Sequence, residues 1–143
     1  MTPYGLTVEQ RVEPLALDHP HPRLSWKVAS DRRGAAQTAY RITAAASVAD
    51  LDEPDRLVWD SARRDGAEAL LVPWAGPALH SATRYHWRVR VWDETGQPAG
   101  AAQSWFETGL LHPDDWAAVW IGRDQHALPP VDPPTDADRT TPG

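Results

Sequence analysis

From Thr83 to Glu94 the chain alternates without a break: Tyr85, Trp87, Val89 and Val91 fall on one side, and His86, Arg88, Arg90 and Trp92 on the other. Successive side chains of a strand point to opposite faces, so this period of two predicts a strand with one buried and one outward face. No helix of ordinary geometry segregates these residues in this way.

The same reading finds further strands. Arg23 to Ala29 puts Leu24, Trp26 and Val28 on one face and Arg23, Ser25 and Lys27 on the other. Gln37 to Ser47 sets Tyr40, Ile42, Ala44 and Ala46 against Arg41, Thr43 and Ala45; its alanines favour helix, but Tyr-Arg-Ile-Thr sets the period. Gly5 to Glu13 alternates roughly, through Leu6, Val8 and, after a slip, Val12, as an edge strand does. Leu57 to Ser61, Ala69 to Trp74 and Gln103 to Thr108 complete a set of about seven. Turn signals separate them: Asp31-Arg32-Arg33-Gly34, Arg63 to Gly66, Gly76-Pro77 and Thr95-Gly96-Gln97-Pro98. Pro14 and His19-Pro20-His21-Pro22 predict a stiff extended connector, and acidic Val48 to Arg56 a loop or short helical turn. Seven short strands without βαβ alternation predict an all-β antiparallel sandwich of the fibronectin type III or immunoglobulin-like kind.

The length of 143 residues suits one such domain. Eight Trp, three Tyr and one Phe can fill a core from few positions. The absence of Cys excludes disulfides, thiolate catalysis and Cys-based zinc sites. A net charge of −6 argues against nucleic acid as a partner. No apolar run approaches a membrane span, and Met-Thr-Pro-Tyr-Gly lacks the pattern of a secretory signal, which predicts a cytoplasmic chain.

Beyond Gly109 the character changes. Asp114 to Gly122 reads as the opening of another structured unit, and the remainder, rich in Pro, Asp and Thr, has almost nothing apolar to bury and is expected to be disordered. The division expected is a sandwich over 1–111, the start of a truncated β-domain over 112–123 and a tail over 124–143. On this reading the sequence is a truncated or frameshifted gene product, or an excised piece of one.

Several strings carry a resemblance. Leu79, a tight loop, Thr83-Arg84-Tyr85 and the alternating strand resemble the fibronectin type III corner, where a Tyr hydroxyl bonds the preceding backbone. Pro22-Arg23-Leu24-Ser25-Trp26, Gln37-Thr38-Ala39-Tyr40-Arg41-Ile42, Leu57-Val58-Trp59-Asp60-Ser61, Thr83 to Asp93, Phe106-Glu107-Thr108-Gly109-Leu110-Leu111 and Trp116 to Gly122 occur in register. Together they resemble the opening module of bacterial α-L-rhamnosidases. The tail after Arg123 departs from that family. The resemblance implies a parent enzyme that hydrolyses terminal α-L-rhamnosides with inversion, using a carboxylic acid and a carboxylate base spaced to admit a water. In that family both lie in a helical toroid. No residue of this chain matches them, so none is carried over as catalytic.

The other constellations are weak. Adjacent Asp114 and Asp115 point opposite ways in an extended chain. Asp50, Asp52, Glu53 and Asp55 lack a calcium-loop spacing, and His19-x-His21 has no third ligand nearby, so no metal or cofactor is expected. No serine-hydrolase elbow or phosphate loop is present. The residues singled out for contact are Arg88, Arg90, Trp92, Trp105 and Trp120. They suit a stacking and hydrogen-bonding face for a sugar, or an outer sheet face that docks on another domain; the balance favours the second. The expected role is a non-catalytic accessory module whose partners are the remaining domains of the parent glycosidase. The alternatives are a carbohydrate-binding module for a rhamnosylated glycan, marked by exposed coplanar Trp rings, and a generic protein-interaction domain.

Overall fold

The Tyr-x-Trp-x-Val-x-Val alternation forms strand β7, Arg84–Trp92, in a computed structural model that describes residues 1–117. Counted in chain order, β1 is Thr2–Val8, β2 Arg23–Ala29, β3 Ala39–Ala45, β4 Leu57–Asp60, β5 Arg64–Asp65, β6 Val72–Pro73 and β8 Pro98–Glu107. Every pairing between these strands is antiparallel. One sheet has the order β1-β2-β6; the other runs β4-β3-β7-β8, with β5 also on β3. Among the described residues no helix is long and apolar enough to cross a membrane.

The core lies between the two sheets. Trp87, Val89, Val91, Ile42 and Phe106 are fully buried from one side, and Leu24, Val8 and Trp26 meet them from the other. Each such side chain contributes roughly 1.5–3 kcal/mol by leaving water. Ala44 sits directly opposite Trp87 in the β3–β7 register, so the smallest inward residue of β3 makes room for the largest of β7. The Trp87 indole N–H has no hydrogen-bond partner among the described residues, whereas that of Trp26 donates to Gln37 Oε1 at 2.9 Å.

The corner before β7 forms as its sequence predicts. The Tyr85 hydroxyl accepts a 2.8 Å hydrogen bond from the backbone N–H of His80, and Leu79 is buried beneath it. Thr108 locks the same corner: its hydroxyl donates to His80 O at 2.5 Å and accepts from Thr83 N at 3.0 Å.

Several local expectations are corrected. The first strand begins at Thr2 and stops at Val8, because Glu9 and Gln10 turn the backbone through φ 48° and 65°. Val8 and Arg11 then exchange backbone hydrogen bonds, and Val12 faces solvent. The proline-bearing connector is not simply extended. It folds onto the end of β8, with Glu107 N donating to Pro14 O and Leu17 N to Glu107 O. Expected as a strand over Ala69 to Trp74, β6 keeps two residues. Leu71 takes φ 53° and gives its N–H to the Ser25 hydroxyl at 2.8 Å, so a side chain replaces a ladder bond. This explains why Ser25 is buried on a strand position read as outward. Arg64 and Asp65, expected in a turn, pair with Tyr40 and Ala39. The last strand starts five residues earlier than Gln103. The acidic loop forms two 3-10 turns, Ala49–Asp52 and Pro54–Arg56, with Leu51 buried. A third covers Pro113–Asp115, where Asp115 accepts from the Ser81 hydroxyl. The expected tail over 124–143 and most of the expected second unit lie outside the described residues.

Candidate functional site

The outward face of the larger sheet gathers four of the five residues singled out from sequence. Register fixes its rows across β3, β7 and β8: Ala45–His86–Trp105, Thr43–Arg88–Gln103, Arg41–Arg90–Ala101 and Ala39–Trp92–Pro98. Arg88, Arg90 and Trp92 thus share one face of β7, and Trp105 joins them from β8. Trp120 lies outside the described residues.

The two Trp rings do not form a sugar platform together. Trp105 stands opposite His86, and Trp92 lies six residues further along β7, a separation of ~20 Å at the rise of a strand. Each carries a guanidinium on one ring face. The Arg84 Cζ sits 4.0 Å from the Trp105 ring centre, and the Arg63 Cζ 5.1 Å from that of Trp92. Arg84 also donates from Nε to Glu107 Oε1 at 2.9 Å, which holds it in place.

Between the two rings the face is cationic. A cleft of about 220 Å³ is floored by Arg41, Thr43, Arg88 and Arg90, and walled by Leu51 and Asp52 from the first 3-10 turn. Arg41 grips Asp60 with two hydrogen bonds, Nε to Oδ1 at 2.9 Å and Nη2 to Oδ2 at 2.5 Å. That fork holds the Asp60 carboxyl below its ordinary range against the opposing effect of burial, and raises Arg41. Arg88 donates to Asp52 Oδ1 at 2.7 Å and to Gln103 Oε1 at 3.2 Å. Arg90 is exposed and has no ion-pair partner among the described residues. It stands directly across from Arg41, a like-charge pairing that strands ordinarily avoid.

A second, more apolar cleft of about 260 Å³ opens at the sheet edge between Tyr40, Ile42 and Trp59 on one side and Val72 and Pro73 on the other. It exists because β6 is too short to cover β3 and β4. Trp59, which lines this cleft, also packs against Trp74, with ring centres 4.6 Å apart, and against Gly76, where an added Cβ would lie 2.5 Å from the indole.

The carboxyls of Glu9, Asp50, Asp60, Asp93 and Asp115 are all pushed to lower pKa, chiefly by hydrogen bonds from Arg23, Ser47, Arg41, Thr95 and Ser81 respectively. Among the described residues no group of three or more His, Asp or Glu converges as metal ligands would. His19 and His21 are both exposed.

Arg41, Asp52, Arg63 and Arg84 are the contributors that sequence reading passed over. The alternation of β3 places Arg41 on the outward face, but only the register shows it opposite Arg90. The ring-capping arginines carry no local signal.

Residues 3–112 match the family model described as the Rha78A-like, N-terminal immunoglobulin domain. An α-L-rhamnosidase of Streptomyces avermitilis is 48% identical over 116 residues, covering 80% of this chain and 11% of that protein. One from Formosa agariphila is 36% identical over 110 residues, covering 76% and 12%. Among solved structures, the Streptomyces avermitilis α-L-rhamnosidase complexed with L-rhamnose superposes with a TM-score of 0.79 at 46% identity, over 85% of this chain and 12% of that one. The Dictyoglumus thermophilum enzyme does so with 0.80 at 30% identity, over 86% and 14%. The chain therefore spans only a small fraction of the length of the relatives that it matches.

Proposed function

Since this chain belongs to the Rha78A-like N-terminal immunoglobulin domain family, we propose that it acts as a non-catalytic accessory module that packs against the other domains of an α-L-rhamnosidase and supports them. The observation that carries this reading is one of proportion. The matched sandwich makes up 11% of the Streptomyces avermitilis enzyme, and its perturbed carboxyls are all held as anions by donors. An inverting glycosidase needs one carboxylic acid with a raised pKa facing a carboxylate across a water-sized gap.

A docking role has further support at the end of the sandwich where β8 runs out. The connector that lies along β8 carries Leu15, and the segment leaving β8 carries Leu110 and Trp116; these side chains are 60%, 42% and 68% exposed. Large apolar groups left in water at a chain exit suit burial by a neighbour. On this reading the module covers 1–111, and 112–123 begins that neighbour.

The test is removal of the matching domain from the Streptomyces avermitilis enzyme. The truncated enzyme should inactivate at a lower temperature, and a chimera bearing residues 1–117 of this chain should recover part of the loss. Equal thermal inactivation with and without the domain would exclude a supporting role.

A further inference from the structure

We propose that the cleft on the outward face of the larger sheet binds a sugar acid, a polyhydroxy monocarboxylate of about the size of one hexuronate, whose carboxylate is held by Arg90 and Arg41. This goes beyond the accessory role and does not depend on it.

Charge is the first argument. The chain has a net charge of −6, yet three guanidiniums converge on one cleft. Arg41 and Arg88 each have an aspartate, and Arg90 has none among the described residues. The three guanidiniums of the lining are thus matched by two paired aspartates, Asp52 in the lining and Asp60 beside it, leaving an excess that one monoanion neutralises. A phosphate dianion would overshoot that excess in a cleft that Asp52 also lines.

Geometry is the second. Arg41 and Arg90 face each other across adjacent strands. Directly opposed like charges are unfavourable there, and a carboxylate set between them would convert that repulsion into paired attraction. A guanidinium offers a planar fork of donors that matches a carboxylate.

The rest of the lining suits a sugar ring. The Thr43 hydroxyl and the second oxygen of Asp52, whose Oδ1 alone engages Arg88, can bond ring hydroxyls. Leu51, Pro54 and Leu57 give an apolar wall for the C–H face. At about 220 Å³ the cleft suits one residue rather than an oligosaccharide. On its far side Arg90 borders a hollow lined by the small residues Pro98, Ala99, Gly100 and Ala101.

The experiment is a titration of the 143-residue chain by ¹H–¹⁵N correlation spectroscopy at constant ionic strength. Sodium glucuronate, glucose, rhamnose and inorganic phosphate are compared. Glucuronate should produce saturable shifts confined to 39–45, 50–57 and 84–92, with a dissociation constant of about 1 mM. The neutral sugars and phosphate should bind at least ~10-fold more weakly. Arg90→Gln should cost ~10-fold in glucuronate affinity, and Arg90→Lys, which keeps the charge but loses the fork, a smaller factor. Arg90 is exposed, so both variants should keep the wild-type spectrum elsewhere. The proposal is overturned if glucuronate gives no saturable shift up to ~50 mM. It is equally overturned if phosphate or glucose binds as tightly, or if Arg90→Gln binds as wild type.

Discussion

Strand β7 presents two faces built from alternate residues of one nine-residue segment, and they obey different rules. Inward, Tyr85, Trp87, Val89 and Val91 are at most 3% exposed and belong to the apolar core cluster. Outward, Arg84 and Arg88 make contacts that water and salt can compete with: a ring face, two carboxylates and an amide. The inward face is defined by volume and exclusion of water, which depend on residue type alone. The outward face is defined by which charge stands opposite which, and that depends on register and on loops from elsewhere in the chain. The first therefore specifies the fold, and the second is where the molecule has freedom to bind something.

The contrast is sharpest under substitution. Trp87→Ala should cost about 3–5 kcal/mol in denaturant unfolding, since it empties the fully buried centre of the sandwich. Arg90→Ala on the same strand should stay within about 0.5 kcal/mol of wild type. Comparable losses from the two variants would break the distinction between the faces.

Tyr85→Phe tests the corner that introduces the strand. It keeps the buried ring and removes only the acceptor for His80 N–H, so the loss should be about 1–2 kcal/mol with the slope of the unfolding curve unchanged.

The smallest effect belongs to the turn joining β7 to β8. Asp93 accepts from the Thr95 side chain and from the backbone N–H groups of Thr95 and Gln97, and its pKa is lowered from 3.8 to about 2. A group depressed in the folded state contributes stability above its unfolded pKa and loses it as pH falls. Between pH ~4 and 2, wild type should therefore lose slightly more thermal stability than Asp93→Asn. Parallel pH curves for the two would remove the turn from the account.

The same division explains what could be read without coordinates. The alternation of β7, β2 and β3 gives the sandwich, because a period of two sustained over seven or nine residues has one structural meaning. The Tyr85 corner was equally legible. What escaped were features with no periodic signal. The turn at Glu9 and Gln10 takes positive φ without Gly or Asn, and β6 is cut short by a serine hydroxyl from another strand. On the outward face, alternation grouped Arg88, Arg90 and Trp92 correctly. The Arg41–Arg90 juxtaposition and the guanidiniums over Trp92 and Trp105 required the register of three strands and the fold of the loop that carries Arg63.

The central claim is that this sandwich supports a glycosidase without performing its chemistry. The most direct test is to incubate the purified 143-residue chain with p-nitrophenyl α-L-rhamnoside and follow nitrophenolate release. The account predicts a rate indistinguishable from the blank at any pH. Release above the blank that scales with protein concentration and co-purifies with the chain would contradict it.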